Sequence, residues 1–351
     1  MDRRRRRCRR FDRRRRLVRA TRERGGPRLK GRYLTAKVLQ AVGTLAFVLV
    51  LNFFLFRVLP GDPARVFLRL SRASPSVLAD VQQEFGLDRP LLTQFVDYVG
   101  DTLGGELGVS YLATRPVTEV IGEAVWPTVL LLGIATIGAT IIGVMLGIWG
   151  AWRRGTLADK SSLGFALVTY AMPEFWLGML LVLLFSVTFG TFPSAFMSTP
   201  GLSDAPFWTQ FTDTIEHLFL PALTLILALL GEYALITRSS VIEVMHEDFV
   251  TTARAKGMRE ALVLRKHVVP NALLPVVTLA ALNIGFIVSG AITVETVFSW
   301  PGLGQLTYDA IKANDYPLLQ GLFLLFSAAV IFANLAADIL LGVLDPRVGR
   351  A

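Results

Sequence analysis

AVWPTVLLLGIATIGATIIGVMLGIWGA, residues Ala124–Ala151, runs for 28 residues without an Asp, Glu, Lys or Arg. A helix rises about 1.5 Å per residue, so roughly 20 apolar residues cross the hydrocarbon of a bilayer. Lipid offers no water to the backbone, and at this length only a helix satisfies its own N–H and C=O groups. Working outward, Val38–Phe56, Val268–Val294 and Tyr316–Ala337 are equally free of charge. Hydrophobic residues make up 53% of the chain, charged residues 18%, and the mean hydropathy is +0.52. Six spans can be placed, at about 37–58, 125–150, 163–188, 218–237, 271–294 and 318–343. A soluble domain does not need six such runs. The fold class expected is an all-α integral membrane protein with six transmembrane helices.

Charge orients the spans. Residues 1–32 carry sixteen Arg and Lys30 against Asp2, Asp12 and Glu23, and the segments 151–162 and 238–270 are each net +2. By contrast, 189–217 holds Asp204, Asp213 and Glu216 with no Lys or Arg, and 295–317 is net −2. Basic residues mark the cytoplasmic side, so both termini are expected there in a multi-pass membrane protein. Residues 1–34 read as an Arg-rich cytoplasmic tail, too polar and one-signed to build a core and so expected to be disordered. It would anchor topology or adhere to anionic membrane lipids, not bind nucleic acid. The first span is too long for a signal peptide and lacks a small-x-small cleavage pattern. Cys8, the sole cysteine, excludes intrachain disulfides and cysteine metal clusters.

Residues 60–124 are too long for a hairpin and read as an extracytoplasmic subdomain, with short helical patterns at Val77–Phe85 and Leu91–Leu103. The segment Ser299–Gly304, SWPGLG, breaks regular structure outside the fifth span, and Trp300 suits a membrane interface. Gly143 and Gly147 are spaced for close helix packing.

The longest basic loop contains HEDFVTTARAKGMREALVLRKHVVPNALLP, His246–Pro275. Glu247 and Asp248 suit a helix N-terminus, Gly257 a left-handed cap, and Arg259, Arg265 and Lys266 fall in a second segment. Two short helices at an angle make an elbow able to dock into another protein.

Here the chain resembles the permease subunits of ATP-binding-cassette importers. Ala253, Gly257 and Pro270 stand at the A, G and P of the EAA-x3-G-x9-I-x-LP loop. Thr251 and Thr252 replace its first Glu and Ala, and His267 and Val269 its Ile and Leu. ARAKG at Ala253–Gly257 and KH-x3-NALLP at Lys266–Pro275 are similar to the dipeptide/oligopeptide/nickel branch. So are LPGDPA (Leu59–Ala64), FGLDRPLLTQF (Phe85–Phe95), VETVFSWPGLG (Val294–Gly304), DYPLLQG (Asp315–Gly321) and LDPRV (Leu344–Val348). The resemblance covers about residues 35–348, leaving 349–351 as a short tail. It implies an importer-type permease fold in a bacterial cytoplasmic membrane, with the loop at 299–304 folding back toward the pathway mouth. It also implies three kinds of partner: a second homologous permease, two cytoplasmic ATPases and an extracytoplasmic binding protein.

No Gly-x4-Gly-Lys-Ser/Thr stretch occurs, so this chain needs no cofactor of its own, and ATP and Mg would be bound by the ATPase partners. His217, His246 and His267 lack metal-ligand spacing, and no nucleophile set can be assembled, so the chain is not expected to be an enzyme. The residues expected to form or flank the coupling elbow are Asp248, Phe249, Thr252, Ala253, Arg254, Lys256, Gly257 and Met258. Arg254 and Lys256 would pair with acids on the ATPase, and Phe249 and Met258 would be apolar anchors. For the pathway the candidates are Glu174, near the middle of the third span behind Pro173, Glu232 in the fourth, and Trp300 and Pro301. A charge at such depth costs roughly 2.5–3.5 kcal/mol and normally faces protein or water. Two acids on a shared cavity would attract the ammonium of a peptide. Asp338, Asn334 and Asn283 read instead as interhelical hydrogen-bonding groups.

The expected function is the permease of an ATP-driven importer of di/oligopeptides, forming half of the pathway. Nickel or another small solute is the alternative within the family. An ion-gradient-driven secondary transporter is the distant one, and would need inverted repeats that the sequence does not display.

Overall fold

The computed structural model describes residues 31–58, 89–202, 204–287 and 291–344. Residues 1–30 of the Arg-rich tail, the LPGDPA segment, the helical pattern at 77–85 and the last seven residues lie outside the described residues, while 31–34, expected to belong to the tail, begin the first helix.

The elements are all helical. They are α1 (Gly31–Phe53, prolonged by a wider turn at Phe54–Val58), α2 (Leu91–Gly104), α3 (Val117–Trp152), α4 (Leu157–Ala171) and α5 (Glu174–Leu181, continued by wide turns at Val182–Thr188). Then come α6 (Phe207–Val244), α7 (Asp248–Ala255), α8 (Glu260–Val263, continued at Leu264–Val268), α9 (Val269–Ala272) and α10 (Leu274–Ile287). The chain closes with α11 (Ile292–Val297), α12 (Leu303–Ala313) and α13 (Tyr316–Leu344). Among the described residues, four helices are long and apolar enough to cross a membrane, and the number rises to six if each of two bent pairs is one span.

Two of the expected spans are interrupted. The third breaks at Met172–Pro173, where α4 and α5 meet at 104°. Proline disfavours a helical residue before it, and Met172 is extended (φ −77, ψ 134), so the helix stops and restarts. Glu174 therefore begins a new helix; it does not sit mid-span as expected. The fifth breaks near its start, at Leu273, where α9 runs into α10 through a 43° bend. Conversely, α3 and α6 outrun the apolar windows at 125–150 and 218–237. At 36 and 38 residues they measure about 54 and 57 Å, longer than the roughly 30 Å hydrocarbon. Hydropathy marks only the stretch whose side chains are apolar, while the backbone ladder continues through polar turns.

The pair α3–α6 is the axis of the fold, and small residues make it close. A Cβ added at Gly143 would lie 2.6 Å from the Tyr233 Cβ, and one at Gly147 would lie 2.6 Å from the Ala234 carbonyl oxygen. Gly231 of α6 in turn lies against the Ala166 carbonyl and Tyr170 of α4. One apolar centre unites Leu131 and Ala135 with Leu177, Leu220, Leu225, Phe298 and Trp300. A second unites Val117 and Ile121 with Leu303, Leu318 and Leu322. Exposed Leu39, Val42 and Phe47 on α1, and Ile137, Ile141 and Met145 on α3, are apolar faces suited to lipid or a neighbouring subunit.

Candidate functional site

The loop after α6 folds into the elbow. Glu247 is the extended residue before α7 and Asp248 lies in its first turn, where acids complement the helix dipole. Val250 (0% exposed) and Ala253 (5%) point inward, onto Val241 of α6, Ala151 of α3, and Val263, Val268 and Ala272 of the second arm. The elbow is thus seated on the ends of the two central helices. At its corner Gly257 has φ +75. The Gly257 N–H donates to the Arg254 carbonyl at 2.9 Å and the Met258 N–H to the Ala253 carbonyl at 3.4 Å. That is a Schellman cap, whose central position favours glycine.

The eight expected docking residues divide by direction. Asp248, Phe249, Thr252 and Lys256 are exposed, with Phe249 42% accessible. Ala253 faces the seat, and Met258 is half-buried beside it, so both support the elbow from within. Arg254, expected to meet acids of a partner, is paired inside the chain. Its guanidinium donates to both Glu260 carboxylate oxygens, at 2.9 and 3.2 Å, bracing α7 against α8. The outward face of α7 is therefore an aromatic side chain flanked by one acid, one hydroxyl and one cation.

The two acidic pathway candidates lie on different helices with different surroundings. Glu174 is half-buried at the start of α5 and accepts a 3.3 Å hydrogen bond from Thr293 of α11. Glu232 is half-buried on α6, next to Tyr233, whose hydroxyl accepts from Asn283 of α10 at 3.0 Å. A cavity of about 410 Å³ lies elsewhere, between α2, the start of α13 and the loop from Glu106 to Tyr111.

Trp300 is fully buried, which its interfacial character did not suggest. Its indole donates to the Pro127 carbonyl at 2.9 Å. Pro301 is exposed beside it. Glu295, also fully buried, accepts from Thr128 at 3.0 Å, from the Gly304 N–H at 2.7 Å and from the Gln305 N–H at 3.1 Å. The Thr128 hydroxyl accepts the Leu303 N–H at 2.7 Å. A carboxylate from α11 and a hydroxyl from α3 therefore cap α12 together, satisfying orphan donors that its own chain leaves open. The SWPGLG segment is keyed into α3 by side chains, and Gly302 leaves room for that carboxylate.

Sequence reasoning missed several such joints. Asp315 accepts from the Ser110 hydroxyl and, at 3.0 Å, from the Leu112 N–H, tying the start of α13 to the loop before α3. Asn52 of α1 donates to the Tyr98 hydroxyl and the Gln320 carbonyl, both at 3.0 Å. Burial pushes the Tyr98 phenol up at that joint. Asp338 pairs with Lys37 at 2.9 Å, joining α13 to α1, and Asn283 bonds Tyr233, both as interhelical groups should. Asp159, counted only as a loop charge, is gripped by Arg238 at 2.7 and 2.9 Å. Among the described residues, no group of three or more His, Cys, Asp or Glu could hold a metal ion.

Known proteins place this geometry. Residues 143–350 match the family described as binding-protein-dependent transport system inner membrane component, and residues 31–132 match its N-terminal companion. The glutathione transport system permease protein GsiC of Pectobacterium atrosepticum is 40% identical over 317 residues, covering 90% of this chain and 98% of that one. The GsiC of Salmonella typhimurium is 39% identical over 316 residues, with the same coverage. Among solved structures, an inward-facing form of the MetNI methionine ABC transporter superposes with a TM-score of 0.50 at 17% identity. That match covers 63% of this chain and 94% of the other and speaks to the fold alone. The chain belongs to the binding-protein-dependent transport system inner membrane components, the multi-pass permease subunits of ABC importers, in their peptide and nickel branch.

Proposed function

We propose that this chain forms one half of the translocation pathway of an ATP-driven importer for di- and oligopeptides. A second homologous permease completes the pathway, a binding protein delivers substrate from outside, and two ATPases on the cytoplasmic side supply the driving force. Those ATPases, not this chain, hold ATP and Mg. The elbow and both termini face the cytoplasm, in keeping with the basic loops.

The observation that carries the reading is the split of α7 into a buried face and an offered face. Val250 and Ala253 are locked to the ends of α3 and α6, while Asp248, Phe249, Thr252 and Lys256 are presented outward. A short helix so seated transmits a push to the long helices behind it, because packed interiors yield little. Phe249 would enter a groove on the ATPase, with Lys256 and Asp248 meeting opposite charges at its rim. Peptide as substrate is supported by the relatives named glutathione permeases, since glutathione is a tripeptide. Glu174 and Glu232 would offer negative charge to a peptide ammonium when the two permease halves enclose the pathway.

The test is purification of the tagged chain from its native membrane, followed by ATPase assay of the complex with glutathione and with short peptides. Co-purified ATPases whose hydrolysis rises with peptide are expected. A solitary chain that moves solute with no ATPase attached would overturn the reading.

A further inference from the structure

Asp159 has little to do with the docking face and yet is the most tightly held charge near the elbow. It lies in the first turn of α4 and its side chain is only 6% exposed. Arg238 of α6 reaches it with two nitrogens, Nε to Oδ1 at 2.7 Å and Nη2 to Oδ2 at 2.9 Å. The Gly155 N–H donates to the same Oδ2 at 2.9 Å. Gly150 of α3 leaves the room: a Cβ there would lie 3.3 Å from Oδ1. Three elements thus converge on one carboxylate.

Such a pair is a poor device for stability, since desolvating both ions offsets most of their attraction. It is a good device for geometry, because a two-pronged guanidinium–carboxylate contact fixes direction as well as distance. What it aligns is informative. Arg238 sits one turn before Val241, which is buried in the elbow seat with Val250 and Val268. At its other end α4 turns through 104° into α5, whose Glu174 touches Thr293 of α11. An element fastened to α6 beside the elbow seat at one end therefore leads to the α11–α12 hairpin at the other.

We infer that Asp159 and Arg238 are positioning residues that make α4 travel with the coupling elbow as one body, so that a push on the elbow reaches α5 and the hairpin. This rests on the elbow being the ATPase contact. The tested protein is the full importer complex in lipid nanodiscs, with Cys8→Ser and spin labels on cysteines placed at Lys160 of α4 and Leu262 of α8, both exposed. Distances are read without nucleotide and after trapping with ATP, Mg and vanadate.

In the otherwise native chain the distance should keep one narrow distribution in both states. In Asp159→Leu/Arg238→Met, which removes both charges and keeps apolar bulk, the distribution should broaden and shift on trapping. Glutathione uptake per ATP hydrolysed should fall while membrane abundance holds. The exchanged pair Asp159→Arg/Arg238→Asp should recover part of the uptake, and this variant decides the matter if the apolar one fails to accumulate. A distance that changes on trapping in the native chain overturns the inference. So does an apolar variant whose distances and uptake per ATP match those of the native chain, or, where that variant fails to accumulate, an exchanged pair of native abundance whose uptake per ATP does not rise above background. Failure of the chain to assemble with any ATPase is distinguishable at purification, and it removes the elbow reading and this inference together.

Discussion

Replacing Gly257 separates two reasons why the corner of the elbow should be glycine. Its φ of +75 is a left-handed conformation, and a Cβ added there would meet nothing within 4 Å. Within this chain the cost of a side chain is therefore confined to the backbone. For an ordinary L-residue that cost is about 1–2 kcal/mol, and it is larger for a β-branched one. Asn, which bonds locally to the backbone, tolerates the conformation better than Ala. A loss of this size lowers the ratio of formed to unformed corner by roughly 5- to 30-fold. The corner sets the angle at which α7 presents Phe249 and Lys256, so uptake should fall in the order Gly, Asn, Ala, Val while membrane abundance stays level. Hydrogen exchange at the Gly257 and Met258 amides, which close the cap, should quicken in the same order. If Asn is worse than Ala, side-chain size is the deciding quantity, and crowding against the ATPase replaces backbone strain as the cause. If Val matches wild type in both exchange and uptake, the corner does not depend on the left-handed residue and the reasoning fails.

Three further outcomes follow from the same geometry. Phe249→Ala should leave the subunit folded but weaken ATPase association by about 10- to 150-fold, the worth of burying one large apolar side chain at roughly 1.5–3 kcal/mol; equal affinity by a binding assay would remove Phe249 from the interface. Gly147→Ala should destabilise the detergent-solubilised subunit by about 1–3 kcal/mol, because its Cβ would crowd the Ala234 carbonyl and Thr237. Gly133→Ala, on the same helix with nothing within 4 Å, should be neutral or stabilising by up to about 1 kcal/mol, and thermal unfolding compares the two. Glu295→Ala should cost about 2–3 kcal/mol by orphaning the Gly304 and Gln305 amides at a buried helix start; an unchanged unfolding midpoint would show that water replaces the carboxylate.

The membrane class was legible because hydropathy adds up along the chain: 28 uncharged residues around Leu131 report a lipid-spanning helix without reference to any other segment. The elbow was legible for a similar reason. Its cap, its acidic N-terminus and its glycine corner are all settled by neighbours within a few residues, and the structure puts Gly257 in the conformation the spacing asked for. Residue type could not say which way a side chain faces. Phe249 and Val250 are neighbours in one short helix, yet one is exposed and the other buried, because they point about 100° apart and the seat formed by Val241 and Val268 lies on one side only. Arg254 looked available to a partner until Glu260, across the corner, was seen to take it.

Sequence by itself therefore determined the class, the approximate spans and the local form of the elbow. Tertiary structure alone decided that Pro173 turns its span through 104°, that Trp300 and Glu295 are buried, and that Asp159 joins α4 to α6. The physical reason is range. Propensity, capping and hydropathy act between near neighbours, whereas Asp159–Arg238, Thr128–Glu295 and Ser110–Asp315 bridge 79, 167 and 205 residues of chain. Such partners meet only after the helices have packed, and no periodicity in the sequence records which acid will meet which donor.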